Sequence, residues 1–333
     1  MLNSFPVEVN FRIKVLFFHL LSCFVKHMKG LWQHLRELCC CPECFHPTTK
    51  QRLYSSLGKV PSLLYKGNNN SEYYFSDHKV ITENCPTKLI DLRRIKQNHF
   101  PIVPFKSLSV QNLLRNVYIF GGCIVTDPPD TLQLIQSVAS IKHTHYGGFY
   151  DFTSDMAHKD LAYSSEALPL HTDTPYFTDP AGIQVFHVKM PSKSGGASIF
   201  SDGYFAAKEL RKRYKLFFDL LLNSKVTFYC RDEKLYYRTQ QPVLKTEDFQ
   251  IRFNESDREA ISDYRVYAAL EKLQEILKEL SFSLLLKENE VLFLDNWRML
   301  HGRTAFEGKR RVCGAYISRD EYIARLLYYQ QYM

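Results

Sequence analysis

A chain of 333 residues with 45% hydrophobic content can bury a large core, as one large or two unequal domains. The formal charge of +8 is concentrated in the first 60 residues, where eight Lys or Arg face three acids. The remainder is near balance and shows no basic stripe interleaved with aromatics, so nucleic acid is not expected as a partner.

Residues 1–34 come first in chain order. Their apolar run at 15–25, broken by His19 and Ser22, is eleven residues long and too short to cross a bilayer, so no membrane partner is expected. Arg12, Lys14, Lys26 and Lys29 against Glu8 alone make a basic, acid-poor segment like an organelle transit sequence. A mitochondrial matrix location is expected, with a cytoplasmic one as the alternative. A signal-peptide core or an atypical start are the other readings of this segment.

Nine cysteines, an odd number with four crowded into 39–44, suit a reducing interior better than a secreted disulfide framework. Residues 35–90 are expected to form a small zinc-binding module. Within LRELCCCPECFH a tight turn would bring the thiols of Cys39, Cys41 and Cys44 around one point, and a closed tetrahedral site needs a fourth ligand. His78 is the first choice and His46 the nearer competitor, while Cys40 could replace Cys39.

Residues 91–333 read as a jelly-roll domain. The pattern predicts a helix over 107–115, a strand over 117–125 and a helix over 131–140. Apolar runs suited to strands follow at 183–188, 197–201, 226–229, 291–295 and 312–317. Pro180, Gly182, Pro191, Gly195, Gly196 and Gly203 punctuate them as corners. Helices are predicted over 204–222 and 264–280, the latter with Ala269, Leu270, Leu273, Ile276 and Leu277 at helical spacing. The sum is a mainly β fold with flanking helices, a double-stranded β-helix.

The tripeptide HTD at 171–173 carries the chemistry. If it opens a strand, alternation points His171 and Asp173 to one face and Thr172 to the other. His301 follows the run VLFLDNW, 130 residues on, at what reads as a strand exit. Two imidazoles and one carboxylate cover one face of an octahedral ion, leaving positions for a chelating cosubstrate and dioxygen, as in non-haem Fe(II) oxygenases. An HxD pair alone recurs by chance, so its weight comes from the strands around it.

The strings HTDTPYF, GIQVFH, DNWRMLHGR and CGAYISRD resemble the γ-butyrobetaine and trimethyllysine hydroxylase family of Fe(II)/2-oxoglutarate dioxygenases in carnitine biosynthesis. The resemblance runs over about residues 35–330. It includes LRELCCCPECFHPTTKQR, which is similar to the family's amino-terminal zinc motif, whereas 1–34 does not resemble the family. YGGFYDFTSD and the HGR and CGAY strings look closest to the trimethyllysine branch.

That resemblance implies hydroxylation of Nε-trimethyllysine at carbon 3, with Fe(II), 2-oxoglutarate as cosubstrate and ascorbate. The far carboxylate of 2-oxoglutarate needs a planar bidentate cation, which Arg supplies and Lys does not. Arg310 is the matching position, on or beside the strand after His301, with Arg311 facing the other way and Arg303 as a helper. A quaternary ammonium has no N–H to donate and must be met by aromatic faces. The resemblance assigns that cage to Tyr146, Tyr150, Tyr163 and Tyr316, and the α-ammonium to Asp160. Tyr150 stands where relatives carry Trp, a stronger cation–π face. A homodimer is expected. The alternatives are γ-butyrobetaine hydroxylation to carnitine on the same scaffold and, from another class, a non-catalytic jelly-roll binding protein.

Overall fold

The structure is a computed structural model of the chain, and it describes residues 41–42, 46, 48–49, 51–53, 64–66, 73–75, 78–80, 99–153, 164–231 and 234–330. Two compact units emerge, Met1–Leu89 and Ile90–Met333. In the first, strands Leu64–Lys66, Tyr73–Phe75 and His78–Val80 pair antiparallel in sequence order. Cys41 is buried, and His46 accepts the Thr48 and Thr49 amides on Nδ1 at 3.2 and 3.0 Å. Of the expected zinc ligands, His78 opens the third strand, whereas Cys39 and Cys44 lie outside the described residues, as does segment 1–34.

The second unit is built on two sheets. The larger has the order Ile102–Pro104, Gly122–Thr126, Glu290–Asp295, Ile183–Met190, Arg311–Ile317, with Ile141–Lys142 and Tyr150–Thr153 both pairing the last strand. The smaller has the order Phe282–Leu284, Ser198–Asp202, Met299–Arg303, Leu168–His171. Every pairing in these two sheets is antiparallel except Ile102–Pro104 with Gly122–Thr126.

Strand alternation sorts the side chains into layers. Val291 and Phe293 pack outward with Ile183, Val185, Ala315 and Ile317 against helices Val110–Phe120, Thr131–Val138 and Arg319–Gln330. Leu292 and Leu294 point the opposite way and join Val188, Phe200 and Met299 in a core between the sheets. Leu300, on the outer side of the smaller sheet, packs with helices Gly203–Arg213, Lys215–Asn223 and Tyr264–Glu279. Burying each such Leu or Phe contributes about 1.5–3 kcal/mol before chain entropy is counted. The mainly β, helix-flanked architecture is the one expected.

Three local expectations are corrected. The helix predicted over 107–115 runs instead from Val110 to Phe120, so the first half of the strand predicted over 117–125 is helical. Ser109 caps the start by accepting the Asn112 amide, and Gly121, at φ 80°, closes the end in the left-handed region. Leu113, Leu114, Val117 and Tyr118 are all buried, a helical spacing that the continuous apolar run concealed. The helix predicted over 204–222 is two helices, interrupted at Tyr214, which leaves the helical region at ψ 64°. Finally, the HTD sequence does not open a strand. Strand Leu168–His171 ends at His171, and His301 lies in the middle of Met299–Arg303 rather than at a strand exit.

Asp202 ties both helical layers to the sheets. Its Oδ1 accepts the Tyr204 and Phe205 amides at 3.0 and 3.4 Å, capping the helix that follows. The same carboxylate meets the Nε of buried Arg298 at 3.0 Å, and Arg298 donates to the carbonyls of Tyr118 and Ile119 at 2.9 and 3.1 Å. Asp202→Ala would leave a guanidinium buried without its counter-charge and should cost about 3–5 kcal/mol. Asp263→Ala removes the more exposed cap of Tyr264–Glu279 and should cost about 1 kcal/mol. Urea unfolding midpoints of the two variants test the ranking, and a smaller loss for Asp202→Ala would refute it.

Candidate active site

A cavity of about 420 Å³ opens into the second unit, and His171, Asp173 and His301 line it. Their ligand atoms all lie within 4.8 Å of one another, and no other such trio occurs among the described residues. Asp173 Oδ1 stands 3.4 Å from His171 Nε2 and 3.5 Å from His301 Nε2. The strand register places His301 directly across from His171, with ring centroids 4.5 Å apart.

Asp173 reaches this position through a turn. Thr174, at φ 53°, is in the left-handed region, and its hydroxyl accepts the Ala181 amide. Asn296 accepts the Asp173 amide on Oδ1 at 2.8 Å and donates from Nδ2 to the Asp173 carbonyl at 3.1 Å and the Ala181 carbonyl at 2.9 Å. Thr172 is buried on the other side and exchanges two hydrogen bonds with the backbone of Phe253.

The surrounding groups fix how the donors face the cavity. His171 Nδ1 lies 2.8 Å from the Pro169 carbonyl, which selects the tautomer that leaves Nε2 as an acceptor. Asp173 Oδ2 accepts from Gln184 Nε2 and from the Tyr316 hydroxyl, the latter at 2.8 Å, while Oδ1 faces the imidazoles. Burial alone would raise the Asp173 pKa, but His301 and His171 together hold it well below the usual carboxylate range. Burial lowers the pKa of His301; at His171 burial is outweighed by Asp173, and the pKa is raised. Two imidazole nitrogens and one carboxylate oxygen converging on a point at a cavity wall fit a divalent transition metal, with one face of the ion open to the cavity.

Arg303 and Arg310 are buried and line the same cavity. Alternation in Met299–Arg303 puts Arg303 on the face that carries His301. One Arg303 nitrogen donates to the Ser164 and Glu166 carbonyls, both at 2.8 Å, and its guanidinium lies 4.7 Å from the Phe306 ring centroid. Arg310 stacks over Phe186 at 5.2 Å; burial, aided by the charge on Arg303, pulls its pKa down to about 10. Such a site favours an incoming anion. Arg311 faces away, exposed, and pairs with Asp151 through two hydrogen bonds of 2.8 Å.

Tyr146, Tyr150 and Tyr316 also line the cavity, whereas Tyr163 and Asp160 lie outside the described residues. The rings of Tyr150 and Tyr316 are 5.8 Å apart, and the Tyr150 hydroxyl donates to the Val185 carbonyl at 2.9 Å. This approach requires Gly314, since a Cβ there would fall 1.9 Å from the Val185 oxygen and 2.7 Å from the Tyr150 hydroxyl. Gln184, Asn296 and the 254–257 loop were not singled out from sequence. In the run GIQVFH the polar residues are Gln184 and His187, and nothing local ranks one above the other.

Residues 95–316, two thirds of the chain, match the family described as taurine catabolism dioxygenase TauD, TfdA family. The chain belongs to that family of dioxygenases. It is 32% identical to the trimethyllysine dioxygenase of Neurospora crassa, over 87% of this chain and 78% of that protein. To the mitochondrial trimethyllysine dioxygenase of Homo sapiens it is 37% identical, over 66% of this chain and 57% of that protein. Among solved structures, a putative α-ketoglutarate-dependent taurine dioxygenase from Burkholderia xenovorans superposes with a TM-score of 0.53, covering 67% of this chain and 91% of that one. At 12% identity, this likeness shows the shared fold.

Tyr316→Phe removes one donor from Asp173 and leaves the ring. Metal affinity should fall about ten- to a hundredfold, as expected for loss of a ligand-orienting hydrogen bond. Titration of the metal-free protein with Fe(II) or Mn(II) checks this, and equal affinities would show that Gln184 alone suffices.

Proposed function

We propose that the protein hydroxylates Nε-trimethyllysine at carbon 3, with Fe(II) held by His171, Asp173 and His301 and with 2-oxoglutarate as cosubstrate. The observation that carries this reading is a single cavity joining the triad, two buried arginines and aromatic faces, in a chain with trimethyllysine dioxygenases among its relatives. Iron bound there would supply dioxygen activation coupled to decarboxylation of 2-oxoglutarate. Arg310 would receive the far carboxylate of the cosubstrate in a bidentate fork, with Arg303 beside it. Tyr146, Tyr150, Tyr163 and Tyr316 would present their faces to the trimethylammonium group, excluding water and leaving selectivity to the other end of the substrate.

Further parts of the proposal are ascorbate as the reductant that maintains the metal, a structural zinc on Cys39, Cys41, Cys44 and His78, and a homodimer. The zinc reading rests on cysteine spacing and on the resemblance to the family's zinc motif. A mitochondrial matrix location is proposed from the basic first segment and the mitochondrial names of mammalian relatives. Metal analysis of active protein should return zinc as well as iron, and iron alone would eliminate the zinc site.

Succinate formation with Fe(II), ascorbate and 2-oxoglutarate tests the activity, comparing trimethyllysine with γ-butyrobetaine. Faster turnover of γ-butyrobetaine would overturn the substrate assignment. Arg310→Lys should raise the 2-oxoglutarate requirement about 10- to 150-fold, because a point charge replaces a planar fork. Arg311→Lys, on the exposed face, should leave the requirement unchanged; the reverse result would move the role to Arg311.

A further inference from the structure

The residues on either side of Asp173 are held by the segment that follows strand Gln250–Ile251. Before Asp173, Thr172 exchanges two hydrogen bonds with the backbone of Phe253. After it, one terminal nitrogen of Arg252 donates to the carbonyls of Pro175 and Phe177 at 2.8 and 2.5 Å. The other donates to the Thr178 carbonyl at 3.0 Å, and Nε donates to Gln250 Oε1 at 3.2 Å. All four acceptors are uncharged, and Arg252 is buried. Burial draws its pKa down to about 10, offset in part by the charge of Asp179, so the guanidinium stays protonated at neutral pH. Burying a cation among neutral acceptors is costly, and three carbonyls of one turn are matched by a planar fork rather than by a point charge.

We propose that Arg252 is a positioning residue that sets Asp173 for the metal and the aromatic wall for the substrate through one grip on the turn between them. Tyr176 stands between the Pro175 and Phe177 carbonyls that Arg252 holds, and it lines the cavity. Its hydroxyl lies 3.4 Å from His145 Nε2, and the His145 ring centroid lies 3.9 Å from that of Tyr146, which lines the same cavity. A shift of the turn would therefore move a ligand of the triad together with two tyrosines of the wall. Arg303 and Arg310 stand on and beside other strands, Met299–Arg303 and Arg311–Ile317, so the grip does not set the anion site. The substrate half of this proposal rests on the trimethyllysine reading above, and the metal half on the triad geometry alone.

Metal-free wild type, Arg252→Gln, Arg252→Lys and the helix-cap variant Asp263→Ala are titrated with Mn(II), the free ion being followed by its paramagnetic resonance signal. KM for trimethyllysine and for 2-oxoglutarate is then measured at saturating Fe(II). Arg252→Gln should lower Mn(II) affinity about 10- to 100-fold, as expected for loss of a group that orients a ligand from outside. It should raise KM for trimethyllysine about tenfold or more, while KM for 2-oxoglutarate stays within about twofold and shows that the variant is folded. Arg252→Lys keeps the charge without the fork and should lose in the same two measurements; it carries the test if the Gln variant does not fold. Asp263→Ala, destabilised far from the turn, should match the wild type in all three. Wild-type Mn(II) affinity in the Arg252 variants overturns the proposal. So does a KM for 2-oxoglutarate that rises as much as that for trimethyllysine, or an equal loss in Asp263→Ala. A wild type that fails to hydroxylate trimethyllysine overturns the functional reading and the substrate half with it, and the Mn(II) titration still decides the metal half.

Discussion

Asn296 holds the backbone of Asp173 at both its N–H and its C=O, and much of the second unit depends on that grip. Its amide group bonds the backbone N–H and C=O of Asp173 while also meeting Ala181, so the turn following His171 is set by a side chain 123 residues away. The residues flanking Asn296 are tied as firmly. Asp295 accepts Arg319 on both oxygens at 3.0 Å, the Trp297 carbonyl accepts the Ile251 amide, and Arg298 pairs with Asp202. The four residues of this turn thus join the larger sheet, the smaller sheet, the last helix and the Asp173 loop. A buried polar network of this kind stabilises only when each member is satisfied, and it resists partial change for the same reason.

Given that anchor, strand parity assembles the rest of the cavity. Gln184 and Phe186 share one face of Ile183–Met190, and His301 and Arg303 share one face of Met299–Arg303. Arg310 lies just before Arg311–Ile317 and has the parity of Tyr316 within it. The two residues differ in what they meet: Arg310 lies over apolar rings, whereas Tyr316 reaches Asp173. The ring that resemblance assigns to a cation cage is therefore also bonded to a member of the His–Asp–His trio. A change at Tyr316 acts on both, so loss of activity there does not by itself identify a cage.

How far the sequence could be read follows from which interactions are local. Apolar alternation in 183–188, 291–295 and 312–317 is a local property, and the corresponding strands are present as Ile183–Met190, Glu290–Asp295 and Arg311–Ile317. The convergence of His171 and Asp173 was expected from strand alternation, but a turn produces it, and the Asn296 contact that sets the turn leaves no mark within HTD. Residues 117–120 read as strand because a continuous apolar run does not reveal its period. The caps Ser109 and Gly121, read together, carry the missing information. Gln184 could not have been ranked from sequence, because what distinguishes it, the bond to Asp173, depends on the turn that Asn296 sets.

The cavity is also electrically uneven, and this bears on how two ligands of opposite charge would share it. Buried Arg303 and Arg310 repel one another and are stripped of water, so a dicarboxylate binding there would relieve both costs. Under the proposed function, 2-oxoglutarate would be drawn to these two arginines, and a cationic substrate would be penalised there. The field would then help to sort the ligands before any shape-dependent contact forms, because a trimethylammonium beside the two arginines pays repulsion in a low-dielectric site where it is weakly screened. Under that reading, charge placement would decide where the dicarboxylate goes, and aromatic faces how tightly the quaternary end is held.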